Sequence, residues 1–231
     1  MPEQQGVAEG DACQPPFEIG ASVASEPSAR ARRPDVRSKL PPSQLRMEET
    51  PVAELMTTHS AHTGAFDIRR AQPADVDAMA LAHRDSIQSI GPAFYPLEVV
   101  ERWQEAVEGQ LYLQAMDAGE VFFVAVAEID GRSAVIGFAS DYCIEGQTHG
   151  TSVYVRGRSA RQGVGSALLA RAEAHAVSLG AASIEIEASL AGVPFYEANG
   201  FVEVRRGQTR LTTGQSMECV FMRKDLPNLT S

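Results

Sequence analysis

A chain of 231 residues that is 44% hydrophobic and 22% charged has enough apolar mass for one ordinary domain with a core and an appendage beside it. Its net charge of −10 and pI near 5.0 exclude a broad nucleic-acid surface and leave room only for a local basic groove. Cys13, Cys143 and Cys219 are odd in number and widely scattered, so the reading expects neither a metal-ligand spacing nor a disulfide framework.

Residues 1–64 carry Pro, Ser and Ala clusters such as "QPP" and "ARARRPDVRSKLPP" without sustained periodicity. Such a segment buries too little apolar surface to offset its ordering entropy, which predicts a disordered extension ahead of a domain over residues 65–227. The basic cluster from Arg30 to Lys39 reads as a solvated tail or as a dock for an acidic partner. Met47 and Met56 are alternative starts. "MPEQQGVAEG" lacks the basic and apolar regions of a signal peptide, and Arg32-Arg33 is followed by "PDVRSK" rather than an apolar stretch. These features, with the cysteine pattern, predict a cytoplasmic protein.

Regular patterning begins at "FDIRRA", Phe66 to Ala71, which alternates like a half-buried strand. Pro73 suits the first turn of a helix with Val76, Met79, Ala80, His83, Ile87 and Ile90 on one stripe. A second helix is expected from Pro96, with Leu97, Val100, Trp103 and Val107 facing inward. The most apolar run, "VFFVAVA", is much too short to span a membrane; with "EIDGRSAVIGFAS" it reads as a hairpin turning at Asp130-Gly131. "TSVYV" is a further strand. A helix follows, running to about Leu179 with Gly180 as its cap. "SIEIEA" alternates as a strand, "VPFYEANGF" is a short helix closed by Gly200, and two last strands lie around Val202–Arg206 and Met217–Arg223.

The chemistry concentrates in "VYVRGRSARQGVGSALL", where Gly163 and Gly165 stand at the start of a helix. Glycines there let an anion approach bare backbone N–H groups. A dinucleotide fingerprint needs a third glycine where Leu168 stands, although Glu187 lies at a tempting distance; a P-loop needs a Gly-Lys-Ser/Thr run that is absent. A plain loop with glycines for tight packing is the bland reading.

The stretch resembles the acyl-CoA signature of the GCN5-related N-acetyltransferase (GNAT) family, [QR]-x-x-G-x-[GA], with Gly163 and Gly165 in its small-residue places and Ser166 after them. Ala160 departs from it at the first place, with Arg161 next door. "ASLAGVPFYEANGF" is similar to the family's second landmark, and the order of elements from Phe66 to about Leu226 is similar throughout. The resemblance implies an α/β (α+β) fold: a central mixed, mostly antiparallel, splayed sheet of about six to seven strands flanked by about four helices.

The resemblance further implies acetyl-CoA as cosubstrate and no metal. Its diphosphate would be cradled by backbone N–H groups of Arg161, Gln162, Gly163, Val164, Gly165 and Ser166, and its pantetheine arm would lie along Val153, Tyr154 and Val155. Tyr196 matches the family tyrosine near the coenzyme sulfur and is the candidate general acid; a phenol with an ordinary pKa of about 10 stays protonated at neutral pH. Packing of the short helix is its other reading.

No base is legible among His83, Asp85, Tyr95, Asp141, Glu145 and His149, and His83 reads first as a core histidine. Glu185 and Glu187 share one strand face, either solvated or in contact with a cationic acceptor. The acceptor region is expected in Arg84–Glu120 and Asp141–Gly150, and the acidic balance favours a small-molecule or peptide amine rather than nucleic acid or membrane. A homodimer is compatible with this reading. The alternative is a module of the same fold that binds acyl-CoA without turnover.

Overall fold

The computed structural model describes residues 65–227; the expectations for residues 1–64 lie outside them. Eight strands form one sheet in the order β1-β2-β3-β4-β6-β8-β7, with β5 paired to β3 alone. They are β1 (Phe66–Arg70), β2 (Val121–Ile129), β3 (Arg132–Glu145), β4 (Thr148–Gly150), β5 (Val153–Val155), β6 (Ser183–Ser189), β7 (Val202–Arg210) and β8 (Ser216–Asp225). Only β4 and β6 run parallel. Five α-helices flank the sheet: α1 (Val76–Ile90), α2 (Leu97–Glu105), α3 (Gly109–Asp117), α4 (Val164–Ser178) and α5 (Val193–Ala198).

Alternation builds the two layers. On β2, Phe122 and Val124 join Met79, Ile87, Tyr112 and Phe138 in a core under α1 and α3. Phe123 and Ala125 point the other way, into a core with Val164, Leu168 and Ala172 of α4. The short α5 and the C-terminal half of α4 cover Ile184, Ile186, Val220 and Met222 of β6 and β8. Successive side chains of a strand face opposite ways, so the nearly continuous apolar run of β2 is what a strand covered on both faces requires. The β2–β3 hairpin turns where expected. Asp130 and Gly131 adopt φ of 50° and 72°, the two positive values that a tight primed turn needs.

Leu168 is fully buried between α4 and the sheet. Leu168→Ala is expected to cost about 2–5 kcal/mol, since the helix cannot collapse onto a paired sheet. Chemical denaturation, with an unchanged slope, checks this.

The expected fold class holds; among the described residues there are eight strands and five helices, against about six to seven and about four. The additions are α3 and the three-residue β4. Leu97 is 64% exposed instead of facing inward, because α2 starts there and only Val100 is deeply buried along its length. Cys219 is a buried free thiol. Among the described residues, no helix is long and apolar enough to cross a membrane, and no group of His, Cys, Asp and Glu is placed to hold a metal ion.

Candidate functional site

The site begins where the sheet opens. β4 pairs with β3 on one side and β6 on the other, the last β6 pair being Gly150 with Glu185. After Thr151 and Ser152 the chain continues as β5, which pairs only with Gly137, Phe138 and Ala139 of β3. Gly137 permits that close approach, because a Cβ there would stand 2.8 Å from the Tyr154 carbonyl oxygen. One edge of Val153–Val155 therefore has no strand partner among the described residues, and beyond Glu185 the Ile186–Ser189 end of β6 pairs with β8 alone, so the sheet parts here in a slot. An unpaired strand edge is a template for an extended, amide-bearing ligand.

The slot leads to the glycine loop. Arg156 precedes a single 3-10 turn, Gly157–Ser159, whose first N–H donates to Asp85 Oδ2 at 2.7 Å. Asp85 thus ties α1 to the loop, which gives it a positioning role in place of the base expected as one option. Gln162 is spent inside the loop, its Nε2 donating to the Arg158 carbonyl at 2.9 Å. Arg161 takes φ of 61°, a conformation that strains a side-chain-bearing residue and is found where a loop is held for a purpose.

Gly163 caps α4 with φ of 82° and provides no side-chain cap. The first helical bond to Gly163 comes from Ala167 N–H, which leaves the N–H groups of Val164, Gly165 and Ser166 at the positive end of the helix dipole. A Cβ on Gly163 would meet nothing within 4 Å, whereas one on Gly165 would lie 3.0 Å from the Phe195 ring. The two glycines therefore differ: Gly163 keeps the anion approach bare, and Gly165 lets α4 lie against α5. Bare N–H groups, a helix dipole, Arg156, Arg158 and Arg161 nearby, and a free strand edge fit a diphosphate joined to an extended arm.

Tyr196 stands across the slot. It is 8% exposed and packs edge-on against Phe195 and Phe201, with ring centres 5.0 Å and 5.3 Å away. Burial, aided by Tyr154, raises its phenol well above the ordinary range, while a hydrogen bond from the Val153 backbone N–H works in the opposite sense. That bond fixes the hydroxyl at the free edge of β5.

The candidate bases separate. His83 is 2% exposed, its Nδ1 is 2.7 Å from the Tyr112 hydroxyl, and it stacks on Tyr154 at 3.6 Å. Burial, with Arg84 beside it, lowers its pKa to about 3, so it stays neutral as a core histidine does. A small cavity of about 20 Å³ beneath it is lined by Trp103, Val107, Leu111 and Leu211. Tyr95 bonds both the Glu218 carbonyl and the Leu190 N–H, stitching the segment before α2 to β8 and to the end of β6. Asp141 is held between His149 Nδ1 at 2.7 Å and His175 Nδ1 at 2.6 Å, on the α4 side of the sheet and away from the slot. Glu145 is exposed at the end of β3.

Glu185 and Glu187 share a face but not a fate. Glu185 pairs with Arg223 at 2.7 Å in solvent. Glu187, just past the last β4–β6 pair, has a fully buried oxygen with no hydrogen-bond partner. Sequence reasoning also overlooked Glu120, Ser140 and Ser152. Ser140 Oγ and Ser152 Oγ are 3.0 Å apart, and Ser140 favours the charged form of the buried Glu120 carboxyl, whose pKa burial raises. The one available signal was an acid abutting the apolar run of β2.

The comparisons agree with this architecture. The family model described as an acetyltransferase (GNAT) domain matches residues 91–226, more than half of the chain. None of the curated proteins matches. Among solved structures, a GCN5-related N-acetyltransferase from Rhodopseudomonas palustris superposes with a TM-score of 0.60 at 23% identity, over 71% of this chain and 97% of that one. The PaiA N-acetyltransferase from Thermoplasma acidophilum, in complex with coenzyme A, gives 0.55 at 19%, over 70% and 99%. A phosphinothricin acetyltransferase from Sinorhizobium meliloti, in complex with acetyl-CoA, gives 0.54 at 20%, over 72% and 91%. At these identities the superpositions show a shared fold. With the family model covering the slot, the glycine loop and Tyr196, the chain belongs to the GNAT acetyltransferase family.

Proposed function

We propose that this chain transfers the acetyl group of acetyl-CoA to the primary amine of a small cationic molecule or a peptide N-terminus, by direct attack of the amine. The observation that carries the reading is the free edge of β5, which starts where Gly150 ends its pairing with Glu185 and runs to the bare N–H groups at the start of α4. Backbone groups of Val153, Tyr154 and Val155 would hold the pantetheine arm, and those of Arg161 to Ser166 the diphosphate. Acetyl-CoA supplies the activated acetyl group. The protein orients it, supports the developing oxyanion, and gives a proton to the departing sulfur.

Tyr196 is the proposed acid. The Val153 N–H occupies one lone pair of its oxygen and leaves the hydroxyl hydrogen free to donate. Glu187 supports a cationic acceptor, because an ammonium at the slot would satisfy its orphaned buried oxygen.

The test offers acetyl-CoA with a diamine, an amino sugar and a peptide bearing a free N-terminus, following free thiol and identifying products by mass spectrometry. Acetylated amine with matching thiol is the expected result. Coenzyme A binding without acceptor-dependent thiol would instead assign a module that binds without turnover.

A further inference from the structure

We propose, on the reading that this chain acetylates a primary amine, that Arg205 laid over Phe221 forms a second subsite beside Glu187 and takes a carboxylate carried a few bonds from that amine. The acceptor is then a free amino acid or a peptide whose first residue is acidic.

Alternation along β6 and β8 separates two environments. Ile184, Ile186, Val220 and Met222 turn to α4 and α5, which leaves Glu187, Cys219 and Phe221 on the opposite face. On that face Met217 joins Tyr95, Val107 and Leu211 in the core beneath the first helices, and Tyr154 of β5 packs on the same core. The Glu185–Arg223 pair bounds the face on its other side, in solvent. Between these limits Glu187 stands opposite Phe221, and Phe221 opposite Arg205. Directly paired residues of antiparallel strands project to one face, so a carboxylate, an aromatic ring and a guanidinium form a single row.

The strand is shaped to place the arginine. The register of β7 shifts between Glu203 and Arg205, so Arg205 rather than Val204 faces Phe221. Its guanidinium carbon lies 3.2 Å from the centre of the Phe221 ring. A Cβ on Gly207 would stand 3.0 Å from both Arg205 Nη1 and Phe221 Cε2, so glycine there leaves the space the stack needs. A ring beneath a guanidinium holds it by cation–π attraction while its N–H groups remain free to donate as a fork. Arg206 is held by Glu203, and Arg223 by Glu185 and Asp225. Arg205 has no ion pair among the described residues.

Glu187 is the opposite pole. One of its oxygens is buried without a hydrogen-bond partner. It does not close on Arg205, because β8 lies between β6 and β7 and holds their backbones roughly 10 Å apart. The Cys219 thiol lies within the field of both. Burial pushes it up to about 11, the Glu187 charge acts in the same direction, and the Arg205 charge opposes. Cys219 and Phe221 therefore form a floor with a carboxylate at one rim and a guanidinium at the other. An ammonium at Glu187 and a carboxylate at Arg205 would complete both. A diamine suits this floor poorly, since its second cation would face Arg205. The net charge of −10 repels anions at long range, so the local cation is what admits one here.

The test follows acetylation by the full chain of matched acceptors: an α-amino acid and its amide, a dipeptide beginning with glutamate and its glutamine counterpart, and a diamine. The parent is expected to prefer carboxylate over amide by about 10- to 100-fold in kcat/KM, the worth of one hydrogen bond between charged partners. A preference in the first pair alone identifies a free amino acid, and in the second alone a peptide. Arg205→Gln is expected to bring the ratio to about one, with the loss in KM rather than kcat, because the arginine holds the acceptor equally before and during reaction. Arg205→Glu should turn the preference toward the diamine. Gly207→Ala should lower the ratio with the arginine still present, by pushing its guanidinium off the ring. Arg205 is exposed, so melting curves should stay near the parental one, and a merely structural role would not move the ratio. A parent that acetylates amines but treats carboxylate and amide alike, or an Arg205→Gln protein that keeps the parental ratio, overturns the subsite and leaves the amine reading standing. A parent that acetylates no amine defeats that reading, and the subsite with it.

Discussion

Gly163→Val is expected to leave a folded protein that binds acetyl-CoA about 10- to 100-fold more weakly. Two physical facts set this apart from an ordinary glycine substitution. The backbone at Gly163 sits at φ of 82°, so any L side chain there is strained, at a cost of about 1–2 kcal/mol. Yet the new Cβ meets no protein atom within 4 Å, so the fold is not asked to repack. The side chain instead projects beside the bare N–H groups of the first turn of α4, where the diphosphate is proposed to sit. One hydrogen bond to a charged group is worth about 1.5–3 kcal/mol, which corresponds to the stated loss.

Gly165→Val serves as the contrast. Its Cβ would press on the Phe195 ring at 3.0 Å and approach Val155 at 3.6 Å, so its effect should fall on stability and on the seat of α5 as much as on affinity. Calorimetric titration of both variants, beside their melting curves, separates the two. Unchanged affinity in a folded Gly163→Val protein would remove the glycine loop from the proposed site.

The fold was legible wherever a local rule sufficed. Asp130-Gly131 marks its hairpin because few residue pairs tolerate two positive φ values. Gly180 stops α4 by accepting a left-handed turn, with its N–H on the Val177 carbonyl and Ala181 N–H on that of Ala176. The stripe of α1 repeats for four turns. What was missed lacks such marks. Only Tyr112 and Ala115 are deeply buried along the nine residues of α3, which is too little to establish a period. β4 is Thr148, His149 and Gly150, a strand only because β3 and β6 hold it from both sides. β7 runs on to Arg210 through charged residues, sustained by pairing with β8.

The same distinction governs the site. The glycine loop and Tyr196 lie in contiguous motifs, and their neighbourhood was readable from them. Glu120, Ser140 and Ser152 come from three separate segments and meet only through the β2–β3 and β3–β5 registers. Nothing in the order of residues distinguishes those serines from any others. Asp141 shows the converse: an acid near a strand end looked available as a base, but the alternation of β3 turns it to the α4 side, where two histidines hold it.

Tyr196→Phe is expected to lower kcat by about 10- to 100-fold while coenzyme binding stays within a few-fold. The substitution keeps the ring in its contacts with Phe195 and Phe201 and deletes only the hydroxyl. The range is set by two opposing features. The hydroxyl is fixed at the free edge of β5 by the Val153 N–H, which favours donation to a leaving group there. Burial raises the phenol well above its ordinary range, so full transfer to a thiolate runs uphill and the help comes mostly as a strong hydrogen bond. That places the loss at or below the lower end of the usual acid–base span. Phenol titration lies far above any working pH, so Tyr196→Phe should lower the rate without changing the shape of the pH–rate profile. A pure packing role predicts otherwise, with a lower melting temperature and turnover per folded molecule nearly unchanged. Equal falls in kcat and kcat/KM would mark an interaction made in the transition state. A kcat within twofold of the parent, with chemistry rate-limiting, would leave the hydroxyl no part in the reaction.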